Sequence, residues 1–252
     1  MAFALKVKNA QRKMSECPYV KHEDGKSLTE EPIVTMENNY KRVSNELEEK
    51  IKHIDLKEAA EAIGGNYDDR SPEATLLAGP RSDSVGNGGG VIKLKMMNNE
   101  YEVRKEGLFK DNQYCQDSWS KIIIYDYVRR KGNIPLTGDW VSLGHLPNTS
   151  SHSKAFQKKA ETKIAEKFNN NMSGLKERCK EFEGVEVQGK VKADYVCGFK
   201  LLPRVPMYIC FWEADEEFPA SCKLHLDSSA EAYIDIEYLA YLLEWFVKVF
   251  VE

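Results

Sequence analysis

The segment YVCGFKLLPRVPMYICFW, residues 195–212, decides the fold class of this chain. Its second half, Val205–Trp212, is apolar almost without interruption, and such a run predicts a strand that is covered on both faces. An acidic turn follows at residues 215–219, and the apolar segment Cys222–Leu226 is then predicted to pair as an antiparallel strand. The last third of the chain therefore predicts a meander of strands.

Helical periodicity marks six segments between residue 38 and the end of the chain. Apolar residues recur at helical spacing in residues 40–54, 56–63, 116–131, 156–168, 175–182 and 236–251. Two alternating segments around Asn98-Asn99 predict a β-hairpin. Because helices come first and meander strands come later, the chain is predicted to be α+β, with helices flanking a mainly antiparallel sheet.

Composition bounds the class of protein. The chain has 252 residues, of which 42% are hydrophobic and 30% are charged, so it can bury a sizeable core as a soluble globular protein. A formal net charge of −4 argues against nucleic-acid binding, which needs a concentrated excess of Lys and Arg. No apolar run approaches the ~20 residues of a membrane span. The six cysteines are scattered without a C-x-x-C pair, so we expect reduced thiols in a cytoplasmic protein without membrane attachment.

Residues 1–19, MAFALKVKNAQRKMSECPY, have the apolar side of a short helix, which Cys17-Pro18-Tyr19 ends. This segment resembles the small four-iron four-sulfur domain of the corrinoid iron–sulfur protein family. In that family, cysteines spaced C-x2-C-x4-C run into a helix that begins x-A-F-A-x-K, and a fourth cysteine follows in C-P-Y. Because a cluster needs a thiolate on each iron, the resemblance implies that three ligands would precede Met1.

We therefore expect residues 1–20 to be the remnant of a [4Fe-4S] domain, residues 21–37 to be a polar linker and residues 38–252 to form the α+β domain. The resemblance makes Cys17 the fourth cluster ligand in the full-length form only, so no cofactor is expected in this chain itself. It also implies a redox or corrinoid-linked partner, and a corrinoid cofactor. The alternative is an ordinary amphipathic helix that a chance cysteine follows.

Four ordered sequence words in the main domain carry a second resemblance. They are PLTGDW at 135–140, PRVP at 203–206, FWEADEEFP at 211–219 and LDSSA at 226–230. In this order they resemble the signature words of a domain-of-unknown-function family, found mainly in anaerobic bacteria and archaea and often directly behind the iron–sulfur domain. This resemblance covers residues 38–251 and implies an architecture, not a reaction.

The same words contain candidate acid–base residues. Asp215, Glu216 and Glu217 lie on one predicted turn, and Asp227 follows the next strand. Several carboxylates near one hairpin end could include an acid or base with a raised pKa, or could hold a metal ion. The alternative is a solvated turn whose acids stay exposed, with Phe218 and Pro219 packed beneath it.

Three other residues are candidates for ligand binding. Arg204 stands between two prolines that rigidify it, which suits a clamp for an anion or a cofactor carboxylate. A structural ion pair with Asp215 or Asp227 is the alternative. Trp140 and Trp212 could stack on a planar ligand, although tryptophans in such runs are also typical of a core. No zinc-type histidine pair, nucleophile elbow or nucleotide-binding motif is present.

Three classes of function remain open. The leading interpretation is a redox-associated protein whose full-length form carries a [4Fe-4S] cluster and exchanges electrons with a cofactor or partner held by the α+β domain. The second is an enzyme with an acidic site around Asp215–Glu217. The third is a non-catalytic module that binds a ligand or a partner.

Overall fold

Residues 195–212 form a β-hairpin in the structure of this chain, which is a computed structural model. Strands β8 (Tyr195–Leu202) and β9 (Val205–Trp212) pair antiparallel, with Gly198 opposite Tyr208. Because side chains alternate along a strand, the odd-numbered residues of β9 enter the main core and the even-numbered ones lie on the opposite, outer face.

The structure describes residues 36–69, 90–149, 151–188 and 192–252. The described parts contain seven helices: α1 (Met36–Ile51), α2 (Leu56–Ile63), α3 (Ser118–Arg130), α4 (Ser151–Lys167), α5 (Met172–Glu181), α6 (Ala230–Tyr233) and α7 (Ile236–Val251). Asp55, Asp117 and Asp235 cap α2, α3 and α7, because each carboxylate accepts a hydrogen bond from a backbone N–H in the first turn. None of the described helices is both long and apolar enough to cross a membrane.

Two antiparallel sheets accompany the helices. The first is a meander of β1 (Asn66–Asp68), β2 (Val91–Met96), β3 (Asn99–Arg104), β4 (Gly107–Lys110) and β5 (Gln113–Tyr114). The second has the strand order β6 (Trp140–Val141), β10 (Ser221–Asp227), β9, β8 and β7 (Val185–Glu186). Helices combined with open antiparallel sheets confirm the α+β prediction.

The hairpin predicted around Asn98-Asn99 is present, with its turn one residue earlier. Met96 pairs with Asn99, so Met97 and Asn98 make the turn, and Met97 has a positive φ of 51°. The N–H of Met97 donates to the carbonyl of Leu201 at 2.8 Å. This bond joins the first sheet to β8 of the second.

Helices α4 and α7 cover the inner face of the second sheet. Phe199 of β8 packs edge-on against Phe246 and Phe250 of α7, with ring centroids 5.2 and 5.9 Å apart. Side chains of α4 also bond the backbone of Leu224 in β10. The amide of Gln157 donates to the carbonyl of Leu224 at 2.9 Å, and the N–H of Leu224 donates to the carboxylate of Glu161 at 3.0 Å. These bonds satisfy backbone groups that β6 is too short to reach.

The outer face of the second sheet has thinner cover. Val196, Tyr208 and Cys210 form a small buried cluster there, against which Trp140 and Trp212 pack. Residues 205–212 are thus covered by a core layer on one side only, and single side chains from neighbouring segments cover the other. Residues 38–252 form one compact unit. The predicted iron–sulfur remnant, residues 1–20, and most of the predicted linker lie outside the described residues.

Candidate functional site

A buried carboxylate holds the loop that leads into β6. Asp227, at the end of β10, is 1% exposed. It accepts hydrogen bonds from the N–H of Gly138 at 2.8 Å, and from the N–H and hydroxyl of Thr137 at 3.1 and 3.0 Å. Ser229 adds its N–H at 3.0 Å and its hydroxyl at 2.6 Å. The sequence words at 135–140 and 226–230 therefore meet at one side chain.

These bonds decide the ionisation of Asp227. Burial by itself raises the pKa of this carboxyl, but the hydrogen bonds from Ser229, Thr137 and Gly138 outweigh it, and the net pKa lies below its ordinary value. A carboxylate that is ionised and accepts five hydrogen bonds is poorly suited to exchange protons with a substrate. In the structure, Asp227 therefore stabilises the loop at Thr137 and Gly138.

Trp140 ends the loop and lies flat on Tyr208 of β9. The ring centroids are 3.4 Å apart and the planes differ by 14°. The stack is set by strand pairing, since Trp140 stands opposite Asp227 in the β6–β10 register. The indole Nε1 of Trp140 is buried without a hydrogen-bond partner in the described parts of the chain. The indole of Trp212 differs, because its Nε1 donates to the carbonyl of Lys192 at 2.9 Å.

Arg204 stands at the tip of the β8–β9 hairpin. Its backbone N–H donates to the hydroxyl of Tyr127 at 2.9 Å, and that hydroxyl donates to the carbonyl of Ile63 at 2.7 Å. Gly64 ends α2 with a φ of 72°, and a Cβ there would come within 3.1 Å of Arg204 Nε. The hairpin tip is thus tied to α2 and α3, and the guanidinium lies against a glycine that leaves it room.

The guanidinium of Arg204 has no partner within the described part of the chain. Its Nε is buried without a hydrogen bond, and no ion pair of this arginine occurs among the described residues. The sequence left open an ion pair with Asp215 or Asp227, and the structure forms neither. Most buried polar atoms in folded proteins do have a partner, so the unbonded Nε of this side chain is unusual.

Arg204, Trp140 and Tyr208 line one cleft, whose volume is about 760 Å³. Ligand pockets typically measure ~300–1,000 Å³. Gly198 contributes bare backbone opposite Tyr208, where an added Cβ would lie 3.1 Å from the tyrosine ring. The other apolar residues of the cleft wall are Met97, Leu136, Phe182, Val185, Val187, Phe199, Pro203 and Pro206.

The charges around the cleft leave an excess of cations. Lys95 donates to both carboxylate oxygens of Glu183 at 2.7 Å, so these two charges offset each other. Lys200 is exposed on β8 and, like Arg204, has no carboxylate partner among the described residues. The cleft therefore combines apolar walls with two cations that a bound anion could engage.

The predicted acidic site lies elsewhere. Asp215 accepts the N–H of Glu217 at 2.9 Å and of Phe218 at 2.7 Å, which closes a local turn. All three acidic residues of this turn, Glu216 included, are exposed, and none lines the cleft. Phe218 is 66% exposed and Pro219 is exposed too, so the prediction that they pack beneath the turn is wrong. The structure does not bring this turn together with Arg204 or Trp140.

Cys210 and His225 lie close together but do not form an activated pair. Cys210 Sγ lies 3.7 Å from His225 Nδ1, while Cys222 enters the main core on the opposite face of β10. Burial raises the pKa of Cys210 to about 11 and lowers the pKa of His225, so the pair is neutral at pH 7. No group of three or more His, Cys, Asp or Glu suited to a metal ion occurs within the described ranges, and Cys17 lies outside them.

Of the three predicted ligand-binding residues, Arg204 and Trp140 line the cleft and Trp212 does not. The sequence did not single out Tyr208, Gly198 or Lys200, which also line it. Alternation within residues 205–212 could have placed Tyr208 on the outer face of β9. No local signal pairs Tyr208 with Trp140, because a strand order that joins distant segments brings them together.

Comparison with known proteins gives one match. A family model described as a domain of unknown function (DUF3786) matches residues 55–249. No curated protein and no solved structure matches the chain. The matched span contains every residue of the cleft wall, from Gly64 to Tyr208.

Proposed function

This chain belongs to the DUF3786 family of domains of unknown function, and we propose that its α+β domain binds a small organic anion in the cleft. The observation that carries the proposal is the state of Arg204, which lines the cleft without a carboxylate partner and with a buried, unbonded Nε. An unsatisfied buried donor costs about 1–3 kcal/mol. An anion that draws the guanidinium into hydrogen bonds recovers this free energy.

The aromatic wall suggests the rest of the ligand. Trp140 and Tyr208 are stacked along the cleft and offer apolar surface for a flat molecule. Arg204 lies in the turn directly before β9 and Tyr208 is the fourth residue of that strand, so the two are roughly 10–13 Å apart at ~3.3 Å per residue. The ligand proposed here is therefore elongated, with an acid group near the hairpin tip and a flat apolar body near the stack.

Anthracene-2-carboxylate is a suitable probe, because it is a flat fluorescent carboxylate. We expect saturable binding to the wild-type chain in a fluorescence titration. Arg204→Met keeps the length of the side chain and removes the charge, so it should raise the Kd at least about tenfold. The matched control is Arg42→Met, which removes an arginine of α1 whose guanidinium lies 3.7 Å from Glu46. Equal Kd values for Arg204→Met and the wild type, or no saturable binding to the wild type, would overturn the proposal.

The N-terminal sequence favours a redox role for the bound molecule. We propose that the full-length protein carries a [4Fe-4S] cluster with Cys17 as its fourth ligand. The cleft would then hold the cofactor or partner group that exchanges electrons with the cluster, and the resemblance suggests a corrinoid-linked partner. The described residues supply no cluster site, so this role rests on the resemblance of residues 1–19 alone.

The redox role requires a C-x2-C-x4-C pattern encoded in frame ahead of Met1. The extended frame, expressed without oxygen, should show cluster absorption and an electron paramagnetic resonance signal after reduction. Cys17→Ser should abolish both signals, whereas Cys115→Ser, at a half-buried cysteine, should keep them. An in-frame stop codon, or an extended protein without iron, would contradict this role and leave the anion proposal untouched.

A further inference from the structure

The cleft wall contains a second donor without a partner. Among the described residues, two buried side-chain polar atoms lack a hydrogen bond, Arg204 Nε and Trp140 Nε1. Both residues line the same cleft. Trp212 shows that an indole on this face of the sheet can be satisfied, because its Nε1 bonds the carbonyl of Lys192. A bound molecule with two acceptor groups would satisfy both donors.

The two donors differ in chemistry. A guanidinium is charged and suits a carboxylate or phosphate. An indole N–H is a neutral donor that cannot accept a hydrogen bond. Its fitting partner beside the Tyr208 stack is a neutral acceptor on the flat body of the ligand, and a carbonyl oxygen in the plane of a conjugated ring meets that need.

We propose that the cleft selects a planar conjugated carbonyl compound with an acid group, which places its acid on Arg204 and its carbonyl oxygen on Trp140 Nε1. This inference rests on the proposed anion-binding function and names the class of its ligand. It also assigns Trp140 as a residue that determines specificity.

Each donor is shielded in the structure as it stands. The stack on Tyr208 covers the indole of Trp140, and Arg204 Nε faces Gly64. Ligand binding therefore includes a small rotation of both side chains, as is common where partners bind without backbone movement. Such a rotation exchanges an unbonded buried N–H for a bonded one, which favours binding.

Two planar tricyclic carboxylates separate the carbonyl contact from the acid contact. Anthraquinone-2-carboxylate and anthracene-2-carboxylate share the ring outline and the acid, and only the quinone has carbonyl oxygens. The wild-type chain should bind the quinone about fivefold more tightly in isothermal titration calorimetry. Trp140→Phe keeps a flat ring and loses the N–H, so the two Kd values should become equal within about twofold.

Two further variants serve as controls. Trp212→Phe removes an indole N–H that is already bonded to the protein, and it should keep the preference for the quinone. Arg204→Met should weaken both probes by the same factor and leave their ratio unchanged. If Trp140→Phe does not fold, the wild-type protein labelled with ¹⁵N-tryptophan provides the readout. One of its four indole N–H signals should then move downfield with the quinone and not with anthracene-2-carboxylate.

The outcomes separate the two proposals. Equal Kd values for the two probes on the wild type, or a preference that survives in Trp140→Phe, would overturn the carbonyl assignment. The anion-binding proposal would stand in that case. If neither probe binds the wild type, both proposals are overturned together.

Discussion

The two faces of the second sheet are built from similar residues and serve different purposes. On the inner face, Phe199 packs with Phe246 and Phe250, and these rings are 5% exposed or less. On the outer face, Trp140 stacks on Tyr208 along a cleft and keeps an unbonded N–H. Aromatic content alone therefore does not separate the core from the surface that we propose binds a ligand. Buried polar atoms without a hydrogen bond distinguish the two faces, because a core tolerates few of them.

Two arginines repeat this contrast. Arg178 of α5 donates to the carbonyls of Phe250 and Val249 at the end of α7 at 2.9 and 2.6 Å, and to Glu181 at 2.8 Å. Arg204 has no such partners. The first arginine closes a helix end, whereas the second is the residue proposed to bind an anion.

The largest expected effect is on the inner face. Phe246→Ala should lower the free energy of unfolding by about 3–5 kcal/mol, because it leaves a cavity among Phe182, Phe199 and Phe250. Urea denaturation followed by circular dichroism measures the change. Phe218→Ala, at a ring that is 66% exposed, is the control and should stay within about 0.5 kcal/mol of the wild type. Similar losses of stability in Phe246→Ala and Phe218→Ala would contradict the assignment of the inner face as the core.

A smaller loss of stability is expected where the outer face depends on Asp227. Asp227→Asn places an amide NH2 among N–H donors such as that of Gly138, so we expect a loss of about 2–3 kcal/mol at pH 7 by urea denaturation. The loop that carries Trp140 should also loosen, which a change in tryptophan emission would show. Unchanged emission and stability would contradict the assigned role of Asp227.

The same variant predicts a pH dependence. The pKa of Asp227 is lowered in the folded state, so near that pKa the unfolded chain binds more protons than the folded one. The stabilisation that the Asp227 carboxylate contributes to the fold is therefore fully present at pH values above its pKa in the unfolded chain, about 3.9. It is lost as the pH falls through the pKa in the folded state. The difference in unfolding free energy between the wild type and Asp227→Asn should shrink below about pH 4. A constant difference down to pH 3 would be the contrary result.

Substitution of the two arginines should give a stability change of intermediate size at Arg178 only and should distinguish a structural arginine from a ligand-binding one. Arg178→Met should cost about 1–3 kcal/mol, because the last carbonyls of α7 lose their donors. Arg204→Met removes an unbonded buried donor, so stability should stay within about 0.5 kcal/mol or rise slightly. Probe binding should respond in the opposite order, with Arg204→Met weakening anthracene-2-carboxylate and Arg178→Met leaving it unchanged. A large loss of stability in Arg204→Met would identify that arginine as structural.

The smallest expected effect is at the acidic turn. Glu216→Gln changes an exposed side chain outside the cleft, so the Kd of anthracene-2-carboxylate should stay within about twofold and stability within about 0.5 kcal/mol. A fivefold or larger change in Kd would indicate that the Asp215–Glu217 turn contributes to binding.

Local patterns predicted most of the described elements. The helix predicted at 236–251 and the strand at 205–212 match the structure residue for residue, because apolar periodicity and an N-cap such as Asp235 act within one segment. The candidates Arg204 and Trp140 were also predicted, since a rigid arginine and a tryptophan at a turn are visible in the sequence. The failed prediction for Phe218 shows the limit, because no local pattern says whether a turn is covered.

The sequence by itself determined the α+β class, the positions of most helices and of the longer strands, and the residue types available for binding an anion. Only the tertiary structure decided which of these residues meet. Asp227 bonds Thr137 from 90 positions away, and Tyr127 bonds the backbone of Arg204 across 77 positions. Such contacts depend on the strand order β6-β10-β9-β8 and its register, which arise from packing of the whole core and not from any one segment.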